Sequence, residues 1–204
     1  MGRVSDAKQR LMDAVLELIW TGSYGSTTID LICEKAGVKK GSFYYFFESK
    51  AELAAVALEA DWEKRRPQLD SVFSPTIPPL ERLRNFSEFA YRKQSEVKKQ
   101  CGCVLGCPLF SLGAEVCTQD QKLREKIEQL LGYYRKYLES AVRDAHEAGL
   151  ISAPRPAEKA RMIFAYYEGL LTQARIQNDA EVLREMPCGV FAMLGLKEAA
   201  SVAA

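Results

Sequence analysis

Residues 28–50 read TIDLICEKAGVKKGSFYYFFESK, and this stretch decides the fold. Thr28 can cap a short helix with apolar side chains at helical spacing, and Gly37 can supply the positive φ of a tight turn. A second short helix follows the turn. Ser49 and Glu52 then form the capping box that opens a longer helix. Two short helices joined by a glycine turn predict a helix-turn-helix.

The positive charge of the chain is concentrated in the same stretch. The whole chain of 204 residues carries 28 lysines and arginines against 27 aspartates and glutamates, a net charge of +1. Residues 35–50 alone hold four lysines against one glutamate, a net charge of +3. A nucleic-acid contact must therefore come from a local patch rather than from a basic coat. Lysines beside tyrosine hydroxyls suit phosphate oxygens, and the alternative is a structural aromatic cluster with solvated lysines.

Helical spacing dominates the rest of the chain, and no alternation of apolar and polar residues is long enough to predict a strand. We therefore predict an all-α fold. The longest apolar runs reach about six or seven residues, whereas a membrane span needs roughly 20, so no membrane is expected as a partner. The first residues lack the apolar core of a secretion signal, which predicts a cytoplasmic protein. A long helix is predicted from Ser49 to Arg66, ended or kinked by Pro67.

The stretch from Gly37 to Lys50 resembles the DNA-binding domain of TetR-type (tetracycline-repressor-like) transcriptional regulators, and the resemblance extends over residues 10–58. It implies an all-helical homodimer. Residues 1–50 would form an N-terminal three-helix helix-turn-helix domain that binds double-stranded operator DNA. Residues 51–204 would form a helical domain that senses a small-molecule effector and dimerises. No catalysis and no cofactor are implied.

The resemblance also assigns DNA contacts position by position. It implies phosphate contacts for Thr27, Thr28, Tyr44 and Lys50. It implies positions at or near the major groove for Lys39, Lys40, Gly41, Ser42 and Tyr45. A short helix reaches few base edges, so a two-fold dimer on a near-palindrome doubles the discrimination. An effector would act by changing the separation of the two recognition helices, with the long helix before Pro67 as the lever.

Aromatic side chains are frequent on the helices of the second domain. Rings with hydroxyl groups suit a small, mostly apolar effector with a polar end, and core packing is the alternative for each ring. The predicted effector-binding residues are Trp62, Phe86, Phe89, Cys103, Cys107, Phe110, Tyr134, Tyr137 and Tyr167. The helix near residues 156–177 is apolar on two sides, which predicts dimerisation through it and the final helix, with core packing again the alternative. The predicted interface residues are Ala160, Phe164, Leu171, Ala174, Val190 and Leu194.

Three of the six cysteines, Cys101, Cys103 and Cys107, fall within seven residues. Residues 102–106 resemble a Gly-Cys-apolar-apolar-Gly motif of one branch of the family. The cysteines could be small packing residues, a thiol switch that responds to an oxidant or electrophile, or a soft-metal site. The spacing is not that of a zinc site and the chain has one histidine, so we predict no metal.

These observations predict a ligand-responsive DNA-binding transcriptional regulator. The expected form is a repressor that leaves a palindromic operator when a small molecule binds or when a thiol at Cys101, Cys103 or Cys107 is modified. Two other classes remain open at this point. One is a cysteine-dependent enzyme, which would lack a histidine beside its thiols, and the other is a helical module that binds only proteins.

Overall fold

The computed structural model describes residues 2–116 and 118–196, which form nine α-helices, one 3₁₀ helix and no strand. In chain order the α-helices are α1 Gly2–Thr21, α2 Ile29–Ala36, α3 Lys40–Phe46, α4 Lys50–Val72, α5 Pro79–Cys101, α6 Pro108–Val116, α7 Gln121–Glu147, α8 Pro156–Gln177 and α9 Met186–Met193. The 3₁₀ helix Ala180–Glu185 lies between α8 and α9. The predicted all-α fold is confirmed.

Packing divides the chain into two compact units. The first comprises Met1–Arg65 with Pro108–Leu131, and the second comprises Arg66–Cys107 with Gly132–Ala204. Helices α4 and α7 therefore contribute residues to both units. The functional boundary after residue 50 stays a prediction, because a division by packing does not define where DNA binding ends.

The first unit has a core of fully buried side chains from its N-terminal helices. Leu11, Val15, Ile32, Phe43 and Leu53 have no solvent exposure. Helix α1 packs against both α2 and α3. Burial of apolar side chains stabilises the unit by roughly 1.5–3 kcal/mol for each large residue. The core therefore holds α3 by one face and leaves the opposite face to solvent.

Helix α4 is longer than the sequence predicts. It continues from Lys50 through Pro67 to Val72, so the proline does not end it. A proline inside a helix removes one backbone hydrogen bond. The turns beyond it are held by Leu69 and Phe73, which are buried, and the Phe73 amide donates to the Leu69 carbonyl over 2.9 Å. Tertiary packing thus outweighs the local preference of the proline.

One face of helix α8 is buried inside the second unit, where the helix packs against the 3₁₀ helix and α9. The six predicted dimer contacts are each no more than 6% exposed in the single chain. They are Ala160, Phe164, Leu171, Ala174, Val190 and Leu194. These six side chains fill the core of their own protomer, so they are not free to contact a partner, and the location of the dimer interface stays a prediction.

Glycine allows α9 to approach α8 closely. A Cβ atom on Gly189 would overlap the ring of Tyr166. Any larger residue at position 189 would therefore require the Tyr166 ring to move. In the part of the chain that the structure describes, no helix combines the length and the apolar character needed to cross a bilayer.

Candidate nucleic-acid interface and effector site

The turn between α2 and α3 has the geometry that its glycine predicts. Gly37 adopts φ +62°, and the Val38 amide donates to the Cys33 carbonyl over 3.0 Å, which closes the end of α2. The guanidinium of Arg10 donates to the Ala36 carbonyl over 2.8 Å. This bond ties the turn to α1, so the orientation of α3 is fixed by both neighbouring helices.

The two faces of α3 differ sharply in exposure. Phe43 and Phe47 are buried, whereas Tyr44 is 56% and Tyr45 is 74% exposed. A Cβ atom on Gly41 would have nothing within 4 Å. Large aromatic side chains are rarely left this exposed without a partner. The outward face of α3 therefore offers hydroxyl groups and an open backbone to a macromolecule.

Two lysines stand at the beginning of α3. Lys39 and Lys40 are both exposed, and the Lys40 ammonium lies 2.7 Å from a carboxylate oxygen of Asp30. The hydrogen bond that Lys40 donates to Asp30 raises the pKa of Lys40, so this lysine keeps its charge. An ion pair between exposed groups is weak, and a phosphate can replace Asp30 as the partner. Ser42 is half-buried in the first turn of the same helix.

The two threonines before α2 are placed differently. Thr28 is exposed and caps α2, accepting the Leu31 amide over 3.2 Å. Thr27 is 3% exposed and donates its hydroxyl to the Ser23 carbonyl over 2.7 Å. The position of Thr28 suits a contact at a helix N-terminus. The Thr27 side chain is not positioned for the phosphate contact that the resemblance implied.

Lys50 connects α4 to the loop between α1 and α2. Its ammonium donates to the carbonyls of Tyr24 and Thr27 over 2.7 and 2.8 Å and lies 4.0 Å from the centroid of the Tyr24 ring. Burial lowers the pKa of Lys50. The side chain therefore positions the loop, and its contact with a phosphate stays a prediction.

Glu115 of α6 holds the same loop from another side. Its two carboxylate oxygens accept the amides of Tyr24 and Gly25 over 2.9 and 2.6 Å. Both bonds lie within the first unit. No local pattern in the sequence could reveal them, because about 90 residues separate the partners.

A connected set of aromatic rings runs through the second unit. Neighbouring rings have their centroids 4.8–6.5 Å apart, within the range of favourable aromatic pairs. In order, the rings are Tyr137, Phe73, Phe86, Tyr167, Phe164 and Tyr134. The set includes four of the predicted effector-binding residues. Phe73 and Phe164, which were not predicted as effector contacts, link them.

Three other predicted effector-binding residues lie outside this set of rings. Trp62 and Phe110 belong to the first unit, where Trp62 is buried and Phe110 is 44% exposed. Phe89 is half-buried beneath the ammonium of Lys93, on a surface groove of about 470 Å³. The predicted effector-binding residues are therefore divided between the first unit, the set of rings in the second unit and a surface groove of the second unit.

The cysteine loop, residues 101–107, contains free thiols of different exposure. Cys101 and Cys103 are exposed, whereas Cys107 is only partly so. Among residues 2–116 and 118–196, no group of three or more cysteine, histidine or acidic side chains is placed to hold a metal ion.

Amide side chains clamp the cysteine loop at two points. Asn178, which ends α8 with φ 50°, accepts the Val104 amide over 2.8 Å and donates to the Gly102 carbonyl over 3.3 Å. Gln94 of α5 is buried and exchanges both of its amide hydrogen bonds with the backbone of Gly106, over 3.0 and 3.1 Å. The loop is therefore fixed to α5 and α8.

Glu168 is a buried acid beside this loop. It is 2% exposed, and its Oε2 atom has no hydrogen-bond partner. Burial raises the pKa of Glu168 to about 7, an increase that the hydrogen bond with Cys107 opposes. The sequence does contain a signal for this residue, since a glutamate stands among the apolar side chains of α8. Helical periodicity alone did not identify it.

Both parts of the chain match known protein families. Residues 11–57 match the family described as bacterial regulatory proteins, tetR family, and residues 79–188 match the tetracyclin repressor-like C-terminal domain. The chain belongs to the TetR family. TetR-family regulators bind operator DNA and small-molecule effectors and act as dimers. This member is therefore a DNA-binding transcriptional regulator rather than an enzyme.

Individual TetR-family relatives align with most of the length of this chain. The transcriptional regulator AcuR of Cereibacter sphaeroides is 29% identical over 173 residues, covering 84% of this chain and 77% of AcuR. The repressor NemR of Escherichia coli is 23% identical over 183 residues, which cover 87% of this chain and 88% of NemR. A regulatory protein TetR from Rhodobacter sphaeroides superposes with a TM-score of 0.78 at 28% identity, covering 90% of this chain and 96% of that one. The crystal structure of the reduced form of E. coli NemR shares the fold, with a TM-score of 0.77 and 22% identity. The match covers 91% of this chain and 95% of NemR.

The TetR N-terminal match includes α2 and α3, the segment whose resemblance was noted from sequence. That prediction is confirmed at the level of the family. The side chains that position the sites of this TetR-family regulator were missed. Glu115, Asn178 and Glu168 act across long sequence separations or through burial, which short motifs do not encode.

Proposed function

We propose that this TetR-family regulator is a repressor that binds a near-palindromic operator as a homodimer in the cytoplasm. It leaves the operator when a small molecule binds in the second unit or when a thiol of the cysteine loop is modified. The observation that carries the proposal is the outward face of α3, where Tyr44 and Tyr45 are exposed beside Lys39 and Lys40. That NemR is named a repressor supports the direction of regulation.

The DNA contacts divide into two groups. Lys39, Lys40, Gly41, Ser42 and Tyr45 lie at or near the major groove, where the bare backbone at Gly41 allows close approach. Thr28, Tyr44 and Lys50 bind phosphates. The buried Thr27 holds the loop before α2 in place through its hydrogen bond to Ser23. Phosphate contacts release counterions, so the affinity should fall steeply as salt increases. Two copies of α3 would sit about 34–36 Å apart, or further apart on a longer site.

The dimer surface proposed here is the exposed face of α8 together with that of α9. Met162 and Ile176 are 53% and 78% exposed, and Ala165 and Gly169 stand between them at helical spacing. Cys188 of α9 is also exposed. Small residues in an apolar stripe let two helices approach closely. A second copy of the chain would cover these side chains, which water otherwise surrounds.

The effector would contact the set of rings around Tyr167 and the cysteine loop that is fixed to α8. Aromatic walls with hydroxyl groups suit a small apolar molecule with a polar end. A molecule bound there acts only if it prefers the conformation that does not fit the operator. Its differential affinity for the two conformations sets the extent of release.

Binding to a labelled duplex that carries the near-palindrome beside its own gene tests the proposal. Combining Lys39→Ala with Tyr44→Phe should weaken binding at least about tenfold, because one ammonium and one hydroxyl contact are lost. The matched control is Lys122→Ala, an exposed lysine on α7, which should bind like the wild type. Fluorescence anisotropy over a salt series measures both. Equal affinity of the double variant and the wild type would refute the α3 interface.

A further inference from the structure

The mechanism of operator binding leaves Glu168 unexplained. A carboxyl group that is 2% exposed, with one oxygen unpartnered, is costly to bury. Burying an acid without a cation usually costs several kcal/mol. The Glu168 side chain forms a hydrogen bond with Cys107, which is half-buried at the end of the cysteine loop. A thiol is a weak hydrogen-bond donor, so this bond does not offset the free energy of burying the carboxyl group.

The thiol and the carboxyl are held together by the packing of the loop on α8. A Cβ atom on Gly106 would lie 3.4 Å from the Leu171 carbonyl oxygen, so the loop lies directly on the helix beside Glu168. Gln94 fixes the backbone of Gly106 from the other side. Cys107 therefore cannot easily move away from its acidic neighbour.

We propose that Glu168 accepts the proton of the Cys107 thiol when that thiol adds to a small α,β-unsaturated carbonyl compound. This inference rests on the proposed function and names the chemistry of its thiol switch. The sulfur electron pair forms a bond to the β-carbon while the S–H proton passes to the Glu168 carboxylate. The electrons of the C=C bond move towards the carbonyl. The proton then passes from Glu168 to the α-carbon, so the carboxylate is restored and no oxidant is required.

The electrostatics of Glu168 suit this task. A general base works best when its pKa lies near the operating pH, and burial raises the pKa of Glu168 to about 7. Burial and the Cys107 hydrogen bond are the causes of this shift, and no charged side chain of the described residues contributes to it. The carboxyl group is therefore ionised in about half of the molecules at neutral pH.

The same geometry distinguishes Cys107 from the other thiols of the loop. Cys107 has a hydrogen bond with the buried Glu168, whereas Cys101 and Cys103 are exposed. We expect these two thiols to react without the help of Glu168. An adduct on Cys107 would enlarge the side chain between the loop and α8, where interiors tolerate little extra volume. The thiol reaction would thereby reach the helix that carries the proposed dimer surface.

The test measures alkylation of each cysteine by methyl vinyl ketone in the full-length protein, using peptide mass spectrometry over a pH series. In the wild type the Cys107 rate should rise through pH 7, where Glu168 ionises. In Glu168→Gln it should fall at least about tenfold at pH 7. Its pH dependence should then move to the ordinary thiol pKa of about 8.5. Cys101 and Cys103 provide internal references in the same digest and should not change.

The sign of the effect makes the test decisive. If Glu168 merely repelled the thiolate, its removal would accelerate Cys107, and an equal or faster rate in Glu168→Gln overturns the inference. Glu147→Gln, which removes an exposed carboxylate from α7, should leave all rates unchanged. The wild-type pH profile needs no variant, and a midpoint near 8.5 for Cys107 also overturns the inference. Operator binding by unmodified protein is measured separately, so failure of the repressor assignment remains distinguishable.

Discussion

A buried carboxyl group makes the stability of this fold depend on pH. Glu168 has its pKa raised from 4.5 to about 7 by burial, so the folded chain holds a proton that the unfolded chain has lost between these values. The folded state binds more protons in that window, and stability therefore falls as pH rises through it. The loss amounts to roughly 3 kcal/mol once Glu168 is ionised.

Glu168→Gln should remove this dependence, because the amide has the same shape and does not ionise. The free energy of unfolding of the variant, relative to the wild type, should increase by roughly 2–3 kcal/mol between pH 4.5 and 8. Urea unfolding at several pH values measures the difference. A constant difference across the series would contradict the burial cost assigned to Glu168. Glu147→Gln, with its exposed carboxyl, should show no such trend.

At the scale of elements, the loop between α1 and α2 depends on a contact from α6. Glu115 accepts two backbone amides of that loop, and Lys50 binds two of its carbonyls. Glu115→Ala should leave both amides without their acceptor, which costs about 1–3 kcal/mol locally. Tyr24 and Gly25 should then exchange their amide protons faster, and operator affinity should fall severalfold although no proposed DNA contact is removed.

Hydrogen exchange followed by mass spectrometry measures the exchange rate of the amides in the loop, and fluorescence anisotropy measures the affinity for the operator. Glu125→Ala is the matched control, since it removes an exposed glutamate from α7 within the same unit. Unchanged exchange at Tyr24 and Gly25 in Glu115→Ala would show that the carboxylate does not order the loop.

Elements that depend on local chemistry could be predicted from the sequence. Gly37 has the positive φ expected of it, and Ser49 accepts the Glu52 amide as the capping box requires. The Glu52 side chain reaches the Glu48 amide instead of that of Ser49. Of the two outcomes predicted for Pro67, an end of the helix is wrong, because packing of the last turns of α4 outweighs a missing hydrogen bond, and a kink stays a prediction. Local sequence signals give the conformational preference of a segment, and tertiary packing determines the conformation that the segment adopts.

At the scale of the whole molecule, periodicity identifies an apolar face but not what covers it. The spacing of Phe164 and Leu171 indicated a covered face of α8, and the chain itself covers that face. The exposed stripe that begins at Met162 has the same helical spacing, but it mixes large side chains with Ala165 and Gly169, so the apolar pattern does not identify it. Glu115 and Glu168 were missed for a related reason, since their partners are distant along the chain.

The assignment of the dimer to the exposed face of α8 makes a clear prediction. Ile176→Asp should shift the protein towards monomers, because two carboxylates would face each other in an apolar contact across the two-fold axis. Leu150→Asp is the matched control, since Leu150 is a similarly large exposed apolar residue outside α8. Sedimentation at several protein concentrations measures the dissociation constant, and circular dichroism checks that both variants remain helical.

Loss of the dimer should also weaken operator binding far more than it weakens binding of a half-site, because only the full site engages two copies of α3. Phe164→Ala should behave differently. It removes a buried ring from the protomer core, so it should lower the free energy of unfolding by about 3–5 kcal/mol. If Ile176→Asp remained as dimeric as Leu150→Asp while Phe164→Ala dissociated without unfolding, the interface would lie on the buried face, and the structure of the free chain would have to open on assembly.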